Sequence, residues 1–126
     1  MLERLREAVA NAGEHDATAR LVARRIDDLE AAIVAWKRLD RDTAEARLYP
    51  LAQFMGDVYA AALLVEQAAW EQHQEGRDRK ALVARLFADR HLAEQGPLRG
   101  LDRAQDEGLA RFEDLVAGAL VDDRPR

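Results

Sequence analysis

The stretch TAEARLYPLAQFMGDVYAAALLVEQAAWEQHQ, residues 43–74, decides the fold. Leu48, Leu51, Met55, Val58, Ala62, Val65 and Ala69 recur at steps of three and four, the spacing of one helix face. The rest of the circumference is apolar as well: Phe54, Tyr59, Ala61, Leu63, Leu64, Ala68 and Trp70. A helix that is apolar all round is central in its fold or lies at an interface. Pro50 falls inside the pattern. It removes one backbone hydrogen bond and crowds the carbonyl of Ala46. That predicts a kink over 46–50, or a helix that restarts at Pro50. Gly76 ends the helix as a C-cap.

Upstream, Val22, Ile26, Leu29, Ile33 and Trp36 make a second stripe at steps of four and three, on a helix from about Ala17 to Leu39. Arg20, Arg24, Asp27 and Lys37 occupy its other face. Asp16 is placed to cap its start, and Asp40 and Asp42 can start the long helix. Leu2, Leu5 and Val9 mark a short leading helix, ended by Asn11–Gly13. Downstream, Asp78 can cap a helix from about Arg79 to Gln95, with Leu82, Val83, Leu86, Phe87 and Leu92 as its apolar set. Gly96–Pro97 stops it. A loop with Leu98 and Gly100 follows. A last helix from about Asp102 carries Leu101, Ala104, Leu109, Phe112, Leu115, Val116, Ala119 and Leu120. The fold class read here is all-α. The architecture is an antiparallel up-down four-helix bundle with a short leading helix. It forms one domain over 1–126, with its ordered core over 17–120.

Composition agrees and narrows the function. The chain has 126 residues, 19 basic and 24 acidic, with a net charge of −5. Ala is abundant, and Val, Ile and Thr are scarce, which favours helix over strand. There is no Cys and no Ser, so thiolate and serine nucleophiles and zinc–thiolate sites are excluded. The acidic balance argues against nonspecific nucleic-acid binding. The longest uncharged run, Leu48 to Gly56, is nine residues. A spanning helix needs about 18 or more apolar residues. No membrane span and a cytoplasmic location are therefore expected. The charged opening Glu3, Arg4, Arg6 and Glu7 does not read as a secretion signal.

Candidate chemistry is sparse. Di-iron bundles carry Glu-x-x-His on two helices. The residues three before His15, His73 and His91 are Ala12, Trp70 and Ala88, so that motif is absent. His91 has Asp89 nearby, but residues two apart on a helix do not face each other. It reads as a boundary histidine. Asp57 and Glu66 interrupt the most apolar stretch; for both, a salt bridge to an arginine of a neighbouring helix, or a position at the bundle edge, is favoured over a buried functional acid. Gly56 beside Ala52 and Ala60 forms a small-residue strip that admits close approach of another helix. Trp36, Tyr49, Phe54, Tyr59 and Trp70 could line a ligand pocket, but at helical spacing they read as core. No catalytic, cofactor-binding or metal-ligating residue is assigned. The expected interaction surface is Phe54, Tyr59, Leu63, Leu64 and Trp70.

The run LYPLAQFMGDVYAAALLVEQAAWEQHQEGRDRKALVARLFADRHL, residues 48–92, resembles the C-terminal helical region of acyl-CoA dehydrogenases. The closer likeness is to the extra helical domain of the very-long-chain type. There, a helix patterned like Gln53–Ala60 leads to an Ala-rich stretch, a polar turn and a helix patterned like Ala84–Ala88. The family's catalytic Glu run and its flavin- and acyl-CoA-binding segments have no counterpart here. The resemblance thus implies a non-catalytic accessory domain that packs on a flavoprotein dehydrogenase core or supports its dimer. The FAD belongs to that core. The alternatives are an independent homodimeric helical module and the ligand-binding half of a regulator.

Overall fold

The computed structural model describes residues 1–13, 16–94 and 111–120, the side chains of 117–120 excepted. All regular structure among the described residues is helical: α1 (Leu2–Ala10), α2 (Ala17–Lys37), α3 (Arg41–Glu75), α4 (Arg79–His91) and α5 (Phe112–Leu120). His15 and the segment 95–110, with Gly96–Pro97, Leu98, Gly100, Leu101, Asp102, Ala104 and Leu109, lie outside the described residues.

The helix boundaries have local causes. Asp16 accepts a hydrogen bond from the Ala19 N–H at 3.0 Å and starts α2. Asp40 does the same for α3 through the Thr43 N–H at 3.1 Å. Gly76 closes α3 in the left-handed conformation, at φ +64°, which a side chain would strain. Pro50 does not restart the helix, because α3 is continuous from Arg41 to Glu75. Residues 46–50 are all exposed, so water reaches the carbonyl that the missing N–H leaves unbonded.

Asp78 stands at the cap position of α4 but makes no capping hydrogen bond. Its carboxylate is taken instead by Arg111, through two bonds of 3.0 and 2.9 Å. Glu71 on α3 supplies the acceptor, bonding the Lys80 N–H at 3.2 Å. This gives a buried carboxylate a role at the open end of α4. Arg79 adds a bond to the Leu115 carbonyl at 3.1 Å, so α5 is held against the start of α4.

The core runs through four of these helices. α3 packs against α1, α2 and α4, and α2 packs against α1 and α4 as well. Leu5, Val22, Ile26, Leu29 and Val58 are the largest fully buried side chains. Leu5, Ala8 and Val9 put the leading helix inside the core, upstream of the 17–120 span read from the sequence. On α3 the buried face is Val58, Ala61, Ala62, Val65, Ala68 and Glu71. The seam read from the sequence holds at Val58, Ala62 and Val65. It fails at Leu48, which is exposed.

Candidate functional site

α3 is longer than the helices that cover it, and its outward side carries a second stripe. Tyr49, Ala52, Gly56, Tyr59, Leu63, Glu66, Trp70 and His73 follow one another at steps of three and four, and none is buried. Those steps keep one direction on a helix. Tyr49, Tyr59 and Trp70 are 75%, 43% and 56% exposed. They are therefore not the core aromatics that their spacing suggested. Trp36 is placed differently: half-buried on α2, it donates its indole N–H to the Ala44 carbonyl at 2.9 Å.

The expected surface residues divide into two groups. Tyr59, Leu63 and Trp70 share the outward stripe. Phe54 and Leu64 are half-buried and pack against the core cluster. Tyr49, read as core from the sequence, is the most exposed aromatic side chain of the stripe. The signal for it was available in the seven-residue spacing of Tyr49, Gly56, Leu63 and Trp70.

The neighbouring helices rim the stripe with charge. From α1, Arg4 grips Glu66 with two bonds of 2.8 Å. This is the neighbouring-helix arginine expected for Glu66. From α4, the Lys80 ammonium lies 6.0 Å from the Trp70 ring centroid, an electrostatic contact with its π face. A groove of about 490 Å³ opens between Asn11 at the end of α1 and Glu66, Gln67, Ala69, Trp70 and His73 of α3. At Gly56 the stripe is bare, since an added Cβ meets nothing within 4 Å.

The Arg4 hydrogen bonds hold the Glu66 carboxyl below its ordinary value, against a smaller opposing effect of desolvation. The sign for stability follows. A carboxyl depressed in the folded chain stabilises it above the unfolded value, about 4.3, and that contribution disappears as pH falls through the folded value. The pair is partly exposed, so the effect is small. Glu66→Gln is expected to lower the urea midpoint at neutral pH and to converge on the parent as pH falls through the folded value. Paired urea titrations across that range check it, and a gap that persists in acid would assign the loss to packing.

Asp57 has no arginine partner among the described residues. Its partner is His91 of α4, with Nδ1 at 4.0 Å from the carboxylate oxygen and the imidazole tilted by 34° against the Phe87 ring, centroids 4.4 Å apart. His91 thus faces Asp57 rather than Asp89. Among the described residues, no group of three or more His, Asp or Glu is gathered to hold a metal ion. α3 is long and apolar enough to cross a membrane by length and composition alone, a test that the core helix of a folded domain also passes. Its apolar character divides here between a buried face and the outward stripe. No family model matches the chain, and no curated protein or solved structure matches it either.

Proposed function

We propose that the chain is a non-catalytic assembly domain, an antiparallel helical bundle that docks through the outward stripe of α3. The observation that carries this reading is the row of exposed aromatics, Tyr49, Tyr59 and Trp70, on one helix face beside an open glycine. Large aromatic side chains contribute most of the energy at protein interfaces and are costly to leave in water in a row. Catalysis within the chain has no nucleophile of the Cys or Ser type to draw on.

The partner follows from the acyl-CoA dehydrogenase resemblance of residues 48–92. It is a flavoprotein dehydrogenase core in the cytoplasm, which this domain packs against or whose dimer it supports. FAD is bound by that core. The test is a tagged capture from the host, with a visible absorbance spectrum of the eluate. A yellow complex containing a dehydrogenase subunit is expected, and Trp70→Glu is expected to release it while leaving the helical signal intact. A colourless eluate without such a subunit would overturn the dehydrogenase partner. Leu64→Glu is the poorer probe, since Leu64 packs against the core and its loss would also loosen the fold.

A further inference from the structure

α2, α3 and α4 each open on an aspartate, yet only two of the three cap their helix. Asp16 and Asp40 have extended backbones, with ψ of 113° and 161°, and each accepts from the N–H three residues on. Asp78 has ψ of 8° and accepts no bond from its helix. Both of its carboxylate oxygens are held by Arg111, the residue that leads into α5. We propose that α5 is a releasable strap and that Asp78 serves two exclusive ends, gripping Arg111 while α5 is docked and capping α4 once it is released. This device is independent of the stripe on α3.

The hold on α5 is polar. α1 and α5 are both nine residues long. α1 buries Leu5, Ala8 and Val9, whereas none of residues 111–116 is buried, and Phe112 and Val116 are exposed. α5 is fixed to the start of α4 through the Arg111–Asp78 pair and the bond from Arg79 to the Leu115 carbonyl. The Asp78 side chain is mostly exposed, so water and salt compete for that pair. A nine-residue helix does not persist alone in water, so α5 docks or opens as one unit.

The docked arrangement carries a cost, and release has somewhere to go. Arg79 Nε is closed off from solvent and has no hydrogen-bond partner among the described residues. Once the Leu115 carbonyl leaves, the guanidinium can turn towards water. At the start of α4, Glu71 already holds the Lys80 N–H. The next donor, the Ala81 N–H, corresponds to those of Ala19 and Thr43 in the two capped helices. A carboxylate released by Arg111 therefore finds its acceptor role at Ala81. Release exchanges one use of Asp78 for another instead of stranding the charge.

The experiment is amide hydrogen exchange of the full chain, read residue by residue by nuclear magnetic resonance, on the parent and three variants. Arg111→Gln is expected to speed exchange over 112–120 by about tenfold or more, as a two-bond charged grip is lost. The same variant is expected to slow exchange at Ala81. Asp78→Asn is expected to do both as well, because Asn caps as well as Asp but offers Arg111 no charge. Asp78→Ala is expected to release α5 without slowing Ala81. The Ile26 and Val58 amides, in the core, are expected to keep parental rates throughout.

Unchanged exchange over 112–120 in Arg111→Gln overturns the strap. An Ala81 amide that fails to slow in Arg111→Gln and Asp78→Asn overturns the second use of Asp78. Core amides that speed up together with α5 would make α5 part of the cooperative core and overturn its separate release.

Discussion

Ile26→Ala is expected to destabilise the fold by about 2–5 kcal/mol. Ile26 is fully buried in the middle of α2, between Val22 and Leu29, which are buried as completely. The buried cluster around it draws on three other helices: Leu5 and Val9 of α1, Val58 and Ala62 of α3, and Ala84 and Ala88 of α4. Much of that lining is alanine and valine. Alanine has no rotamer with which to fill a vacated volume, and valine has few. The cavity should stay open, which places the cost in the upper part of the range. A domain of this size is stable by about 5–15 kcal/mol, so one substitution removes a large share. Val34 on the same helix is 46% exposed, and Val34→Ala is expected to stay within about 0.5 kcal/mol of the parent. Urea denaturation of both variants checks the pair. Equal losses would mean that the core is not centred on Ile26.

The contrast between α2 and α3 shows how far the fold is legible from residues alone. On α2, Val22, Ile26 and Leu29 stand among charged neighbours, so only one face could be buried and the stripe read correctly. The caps at Asp16 and Asp40 were also legible, because each bonds an N–H three residues on. α3 gave no such choice. Apolar residues surround it, so periodicity could not say which face turns inward. Contacts with α1, α2 and α4 settle that, and they bury Ala61 and Ala68 while leaving Leu48 and Tyr49 outside. Asp78 shows the same limit in a single side chain. Its position reads as a cap, but Arg111, 33 residues later, holds the carboxylate. Nothing local signals a partner at that distance. For the candidate surface, the apolar surplus of α3 was visible in the sequence, as were Tyr59, Leu63 and Trp70. Phe54 and Leu64 belong to the same surplus, and only the packing separates them from it.

Leu5→Asp is expected to undock α1 from the rest of the bundle. α1 has nine residues. A helix that short does not persist alone in water, so its structure depends on docking. Leu5 is fully buried and anchors it, with Ala8 and Val9 beside it in the core. Losing the leucine volume costs about 2–5 kcal/mol, and a carboxylate left without a partner in that site adds to it. The polar contacts of α1 cannot hold it in place. Arg4–Glu66 and Arg6–Glu30, at 2.8 and 2.6 Å, are partly exposed pairs of small net worth. Undocking has consequences that simple loss of stability does not. Helical signal should fall by the share of α1, and protease should cut within residues 1–16 before the remainder. The Glu66 carboxyl should return to its ordinary range, so that Glu66→Gln no longer changes the pH profile in the Leu5→Asp background. Limited proteolysis and paired pH titrations read these directly. A Leu5→Asp chain with parental stability and an uncut N-terminus would mean that the bundle begins at Ala17 and that α1 only rests on it. Three fully or nearly buried side chains on one nine-residue helix argue for the opposite result.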